Sequence, residues 1–245
     1  MKILNLGCGN KTSDSNDVIN IDWSIYHKIK NNRVLQFIAL PFFDKDRKHY
    51  YNSLPENIVA HNLKKGIPFK NNSVDVVYHS HVFEHLPKEH AKKFMAEVKR
   101  VLKPGGIQRI VIPDMETLCQ ELIDHLAICD VNEEEYPLHE NFIDNIIGQC
   151  VQEESVGTTK QSKLQATLEK IILGSAKKRG QTHQWMYDRI SLKLLLKECG
   201  FTNIKALHFN ESDIKNWNSY GLDLNGDKTV YKKRSLFMEA KKALG

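Results

Sequence analysis

The sequence contains no C-x-x-C pair, no apolar run long enough to cross a membrane, no internal repeat and no low-complexity stretch. Its five cysteines, Cys8, Cys119, Cys129, Cys150 and Cys199, are scattered; an odd count without pairing pattern argues against a disulfide framework and shows no zinc motif. Reduced thiols in a cytoplasmic protein are the expectation. The apolar opening Met1–Leu6 stops at Gly7, short of the h-region of a signal peptide, and reads as a buried strand with no lid ahead of it. Charge bias is also weak. The net charge of +5 is spread along the chain, and its densest cluster, Lys177-Lys178-Arg179, reads as a solvated helix end or loop rather than a phosphate site. Nucleic acid is therefore permitted but not favoured, since no nucleic-acid module or aromatic–basic repeat accompanies the charge.

What is present is an ordinary globular composition, 41% hydrophobic and 27% charged, in 245 residues, enough for one α/β domain with a full core. Strands are predicted at Ile3–Leu6, Val18–Asp22, Ile58–Asn62, Val74–His79, Ile107–Ile112, Phe201–Phe209 and Ser235–Ala240. Pro87 opens a helix whose apolar stripe is Ala91, Phe94, Met95, Val98, Val101 and Leu102, and Lys103-Pro104-Gly105-Gly106 ends it. A later helix runs from Ile190 to Cys199, with Ser191 as its expected N-cap. Strands alternating with helices imply a mostly parallel sheet covered on both faces. Residues 116–182 lack strand signals and read as a helical insertion within a single domain spanning 1–245; Trp23–Asn57 resists assignment.

Chemistry begins at Leu6-Gly7-Cys8-Gly9-Asn10. Glycines after a strand let backbone approach a ligand closely, although many such turns are purely structural, and the third glycine of a dinucleotide fingerprint is missing. Asp22 ends the second strand, thirteen residues after Gly9, where a carboxylate can accept from both hydroxyls of a ribose.

These segments, together with Ile67-Pro68-Phe69, Ser73–Tyr78, His81-Val82-Phe83-Glu84-His85-Leu86, Arg100–Gly106 and Val111–Asp114, resemble the class I S-adenosylmethionine-dependent methyltransferases, closest to the small "type 11" group. The resemblance implies a Rossmann-like methyltransferase fold with seven strands, helices on both faces and S-adenosylmethionine as cofactor. It implies that Asn5, Gly7, Cys8 and Gly9 border the methionine part and ribose, that Asp22 holds the ribose hydroxyls, and that Trp23, Asn62 and Leu63 flank the adenine. His79, Ser80 and His81 would lie near the methionine end. Three features depart from the family pattern: Asn5 and Asn62 each stand where an acid is usual, and the link from Gly9 to Val18 leaves little room for a helix.

His79, His81, Glu84 and His85 invite a metal reading, but the resemblance makes this a structural loop, and no metal is expected. His183, where the insertion returns to the sheet, is the candidate general base, with packing beside Trp185 as the alternative. Asp114 is either a helix cap or an acceptor-binding acid. The expected activity is methyl transfer to a small molecule or saccharide; RNA methylation, or cofactor binding without catalysis, are the alternatives. The insertion and Trp23–Asn57 would cover the acceptor. No feature of the sequence addresses oligomeric state.

Overall fold

Short runs of β-branched and aliphatic residues form the strands. In a computed structural model that describes residues 1–23, 25–149 and 183–244, β1 (Ile3–Leu6) is buried at every position, as a strand covered on both faces must be. It is joined by β2 (Val18–Asp22), β3 (Ile58–Ala60), β4 (Val74–Ser80), β5 (Leu102–Pro113), β6 (Phe201–Leu207) and β7 (Ser235–Lys242). The sheet order is β3-β2-β1-β4-β5-β7-β6. The first five strands run parallel, while β7 is antiparallel to both neighbours. This is the seven-stranded, mostly parallel Rossmann-like sheet that the sequence implies.

Between the strands lie α1 (Ile25–Lys30), α2 (Arg33–Ala39), α3 (Lys45–Ser53), α4 (Lys88–Val101), α5 (Met115–Cys129), α6 (Tyr136–Gln149) and α7 (Arg189–Glu198). The first three occupy the stretch that resisted sequence assignment. Ala91, Phe94, Met95, Val98 and Val101 of α4 meet Leu192 and Leu196 of α7 on one face of the sheet. Each large side chain buried there contributes about 1.5–3 kcal/mol. The other face is covered differently. Ile214, Trp217 and Leu222, from the β6–β7 connection, pack on Ile3, Val76, Tyr78, Val111 and Phe237.

Strands β4, β6 and β7 end one or two residues away from expectation, and three further boundaries differ for a clear physical reason. β5 starts at Leu102 and runs through Lys103-Pro104-Gly105-Gly106, because a register shift against β4 absorbs these residues and Gly105 adopts φ +75°. β3 stops at Ala60, since Asn62 turns to cap the short turn Leu63–Lys65. The N-cap of α7 is Asp188, not Ser191; Asp188 accepts from the Ile190 and Ser191 amides while the Ser191 hydroxyl reaches back, forming a capping box. Of the insertion, α5 and α6 are described; Lys177-Lys178-Arg179 lies outside the described residues.

Candidate functional site

The register Leu6↔Ile21 and Leu6↔His79 brings the carboxyl ends of β1, β2 and β4 together. Gly7 and Gly9 both take positive φ, +64° and +51°, where an L side chain is strained. Their surroundings differ. A Cβ on Gly7 would lie 2.5 Å from Val82 Cγ2, whereas one on Gly9 would meet nothing within 4 Å. Gly7 is thus a packing glycine, and Gly9 faces open space. The Gly9 amide donates to Asp22 Oδ2 at 2.6 Å, so the turn and the acid at the end of β2 are directly linked. Between the glycines Cys8 is buried; burial first, then the Asp22 charge, pushes its thiol far up, which removes it as a nucleophile.

No helix follows the turn: residues 10–17 are irregular, as the short link requires. Asparagines supply the missing hydrogen bonds. Asn5 Nδ2 donates to Lys11 O at 2.9 Å and to Asn20 Oδ1 at 3.0 Å, and Asn20 Nδ2 donates to Ser13 O at 2.9 Å. Asn57, from beyond α3, donates to Ser13 O and Asp14 Oδ1. Asn5 therefore lines the site from beneath, with its amide turned to the loop.

Above the turn lies a cavity of about 170 Å³, lined by Asn5, Gly7–Lys11, Tyr78, Ser80, His81, Tyr231 and Lys232. Lys11 donates to Leu224 O at 2.6 Å and sits 4.4 Å from the Tyr231 ring, which ties the β6–β7 connection to the glycine turn. A larger cavity of about 470 Å³, at the opposite end of the sheet between α4 and α7, holds none of the candidate cofactor residues. Two of its lysines are engaged with backbone, Lys99 with Cys199 O and Lys242 with Lys99 O and Leu102 O.

On the far side of the turn, His27 Nδ1 lies 3.8 Å from Asp22 Oδ1, and the His61 amide donates to Asp22 O. Trp23 is half exposed, with Lys28 Nζ 3.7 Å above its ring. Asn62 Oδ1 accepts from the Lys64 amide, so that side chain acts as a cap, with Leu63 beginning the turn.

His79 stands apart from Ser80 and His81. Strand alternation sends Tyr78 and Ser80 toward the cavity and His79 to the opposite face, where it packs on Phe83 and Phe94 and contacts Gln108 at 3.1 Å. Burial lowers its pKa to about 4 and keeps it neutral. Its side chain supports the β4–α4 packing.

Sequence reading missed Arg109. Its guanidinium is fully buried and bonds Asp223 and Glu239, each at 2.7 Å, and the carbonyls of Phe209 and Glu211. Asp223 also accepts from Tyr78 Oη and Trp217 Nε1. The available signal was a charge inside each of two apolar runs, Ile107–Ile112 and Leu236–Ala240.

After β4 the short turn Phe83–His85 gathers a second polar group. Glu84 is buried, with His81 Nδ1 at 3.3 Å and His85 Nε2 at 4.0 Å from its Oε1. Burial alone would push this carboxyl up, but the contact with His81 and the charges of both histidines outweigh it and hold it below the usual range. The Gln184 amide donates to Glu84 O, which brings His183 beside His85 with ring centroids 4.8 Å apart. His183 Nδ1 contacts Gln149 O at 2.8 Å. A carbonyl only accepts, so Nδ1 carries the proton and Nε2 keeps its lone pair in the neutral ring. Asp114 is a helix cap: it accepts from the Glu116 amide and the Thr117 hydroxyl at the start of α5.

The family model for a methyltransferase domain, Methyltransf_11, matches residues 31–110, which is 80 of the 245 residues and begins beyond Gly9 and Asp22. No curated protein matches the sequence. Among solved structures, the chain is similar to an S-adenosylmethionine-dependent methyltransferase from Methanosarcina mazei, at 16% identity and TM-score 0.45, covering 100% of this chain and 93% of that one. It is similar to another from Aquifex aeolicus, at 13% identity and TM-score 0.42, covering 99% and 82%. A third is the CurJ carbon methyltransferase, at 14% identity and TM-score 0.43, where 99% of this chain spans 48% of that one. These three likenesses are distant and show no more than a shared type of fold. Residues 31–110 are thus similar to a methyltransferase domain, and this segment carries β3, β4, α4 and the start of β5.

Proposed function

We propose that this chain methylates a small-molecule or saccharide acceptor at the carboxyl edge of β1, β2 and β4. The observation that carries the reading is the Gly9 amide bonded to Asp22 at 2.6 Å, with open space above Gly9. That arrangement suits a nucleoside: Asp22 Oδ1 is available to ribose hydroxyls, and the bare backbone of Gly9 admits a close ligand. Gly7, Cys8, Ser80 and His81 border the methionine end in this reading, while Trp23, Asn62 and Leu63 flank the adenine. Asn5 and His79 serve as supports beneath the site.

When bound, S-adenosylmethionine supplies a methyl group already activated on a sulfonium. The chain's own residues then have to align the acceptor, exclude water and take a proton where the acceptor carries one. His183 Nε2 is suited to the last task, and the Glu84 carboxylate, with a ligand atom within 4.8 Å of a His183 ring nitrogen, would balance the charge of the imidazolium so formed. Tyr231 and Lys232 wall the cavity on the glycine turn, and the spread of basic residues along the sequence, without a concentrated basic segment, supports a small acceptor over a nucleic-acid strand. The insertion is proposed as its outer cover.

Titration calorimetry with S-adenosylhomocysteine is expected to show binding that Asp22→Ala weakens by about tenfold or more, roughly 1.4 kcal/mol. Equal binding by both proteins removes Asp22 from the site. Labelled methyl offered with a metabolite extract, and separately with an RNA pool, is expected in the metabolite fraction. Label in RNA, or in neither, overturns the acceptor class.

A further inference from the structure

The insertion holds a second group of side chains with a different chemistry. His125 and Cys129 are four residues apart on α5, hence on one face of that helix, and His139 faces them from α6. His125 Nδ1 lies 3.3 Å from His139 Nδ1 and 3.4 Å from Cys129 Sγ, and all three ligand atoms lie within 4.8 Å of one another. Tetrahedral zinc, with Zn–N of about 2.0–2.1 Å and Zn–S of about 2.3 Å, sets its ligand atoms about 3.3–3.6 Å apart. Two of the three separations meet that requirement.

The surroundings point the same way. His125 is buried, its Nε2 has no hydrogen-bond partner, and the Glu135 carboxylate lies 3.6 Å from that nitrogen. A carboxylate behind a ligating imidazole fixes the ring's tautomer and strengthens it as a donor. Phe142 stacks on the same ring, centroids 4.1 Å apart. We propose that His125 Nδ1, Cys129 Sγ and His139 Nδ1 bind one zinc ion, oriented by Glu135, which fastens α5 to α6. Binding expels the Cys129 thiol proton to solvent, so affinity rises with pH. A fourth position remains for water or an anion.

The full-length chain, stripped with chelator under reducing conditions, is titrated with cobalt(II) and then zinc(II). One equivalent of cobalt is expected to give tetrahedral visible bands and a thiolate-to-metal charge-transfer band, both erased by zinc. Cys129→Ser removes the charge-transfer band, and His139→Ala lowers zinc affinity by about a hundredfold. Glu135→Gln keeps the spectrum but lowers affinity by about tenfold. Cys119→Ser, on α5 outside the trio, changes nothing, and circular dichroism confirms that each variant is folded. No charge-transfer band in the wild type, or one that persists in Cys129→Ser or disappears in Cys119→Ser, overturns the site.

Discussion

Asn5 Nδ2 donates to Asn20 Oδ1 at 3.0 Å, and both side chains are shut away from solvent. The same nitrogen donates to Lys11 O, so the amide spends both hydrogens on the loop after the glycine turn. An aspartate at position 5 would turn lone pairs toward two acceptors. Asn5→Asp is therefore expected to cost about 2–4 kcal/mol. Thermal unfolding checks this; an unchanged midpoint would refute the role given to the amide.

The two glycines of the turn are expected to fail in different ways. Gly7→Ala places a methyl against Val82 and should destabilise the fold by about 2–4 kcal/mol, partly recovered by adding Val82→Ala. Gly9→Ala meets no protein atom, so only the left-handed backbone is penalised, by about 1–2 kcal/mol, while S-adenosylhomocysteine binding is lost. Equal stability losses with equal binding would show that the two positions are interchangeable.

Arg109 balances two buried carboxylates from the β6–β7 region. Arg109→Met leaves Asp223 and Glu239 without their counter-charge and is expected to cost about 3–5 kcal/mol. At roughly 2–4 °C per kcal/mol the midpoint should fall by about 10 °C. A differential scanning trace with a shift of only a degree or two would show that the network is replaceable.

His79 gives a defined acid response. The unfolded chain takes up its proton near pH 6.5, while the folded ring refuses it until about pH 4. Stability should fall as pH drops through that window, by about 3 kcal/mol, and this contribution levels off below pH 4. Urea midpoints at pH 7 and 4.5 for wild type and His79→Leu test it. The variant should show the smaller fall; equal falls would remove His79 as the cause.

Much of the sheet was legible because its strands are short, β-branched and punctuated by Gly, Pro and Asn, and the stripe of α4 repeats every three or four residues. The Gly9–Asp22 link was legible as a spacing. What escaped depended on partners distant in sequence. Arg109 meets Asp223 across more than a hundred residues, and no local pattern announces which buried charge another will satisfy. The cover over the cavity also escaped, since Tyr231 and Lys232 lie in a connection without periodicity. Strand β5 was cut short because Pro104 and Gly105 read as a stop, whereas a register shift carries the strand through them.

The placement of β7 has a consequence for biosynthesis. It follows β6 in the sequence, yet it is inserted between β5 and β6, so β6 gains its hydrogen bonds to the sheet only through it. Glu239 of this strand also completes the charge balance of Arg109. A nascent chain lacking these residues would leave β6 unpaired and the wall bearing Tyr231 and Lys232 without its anchor. During translation the first half of the sheet can form early, but the cavity over the glycine turn is walled only once β7 has been made.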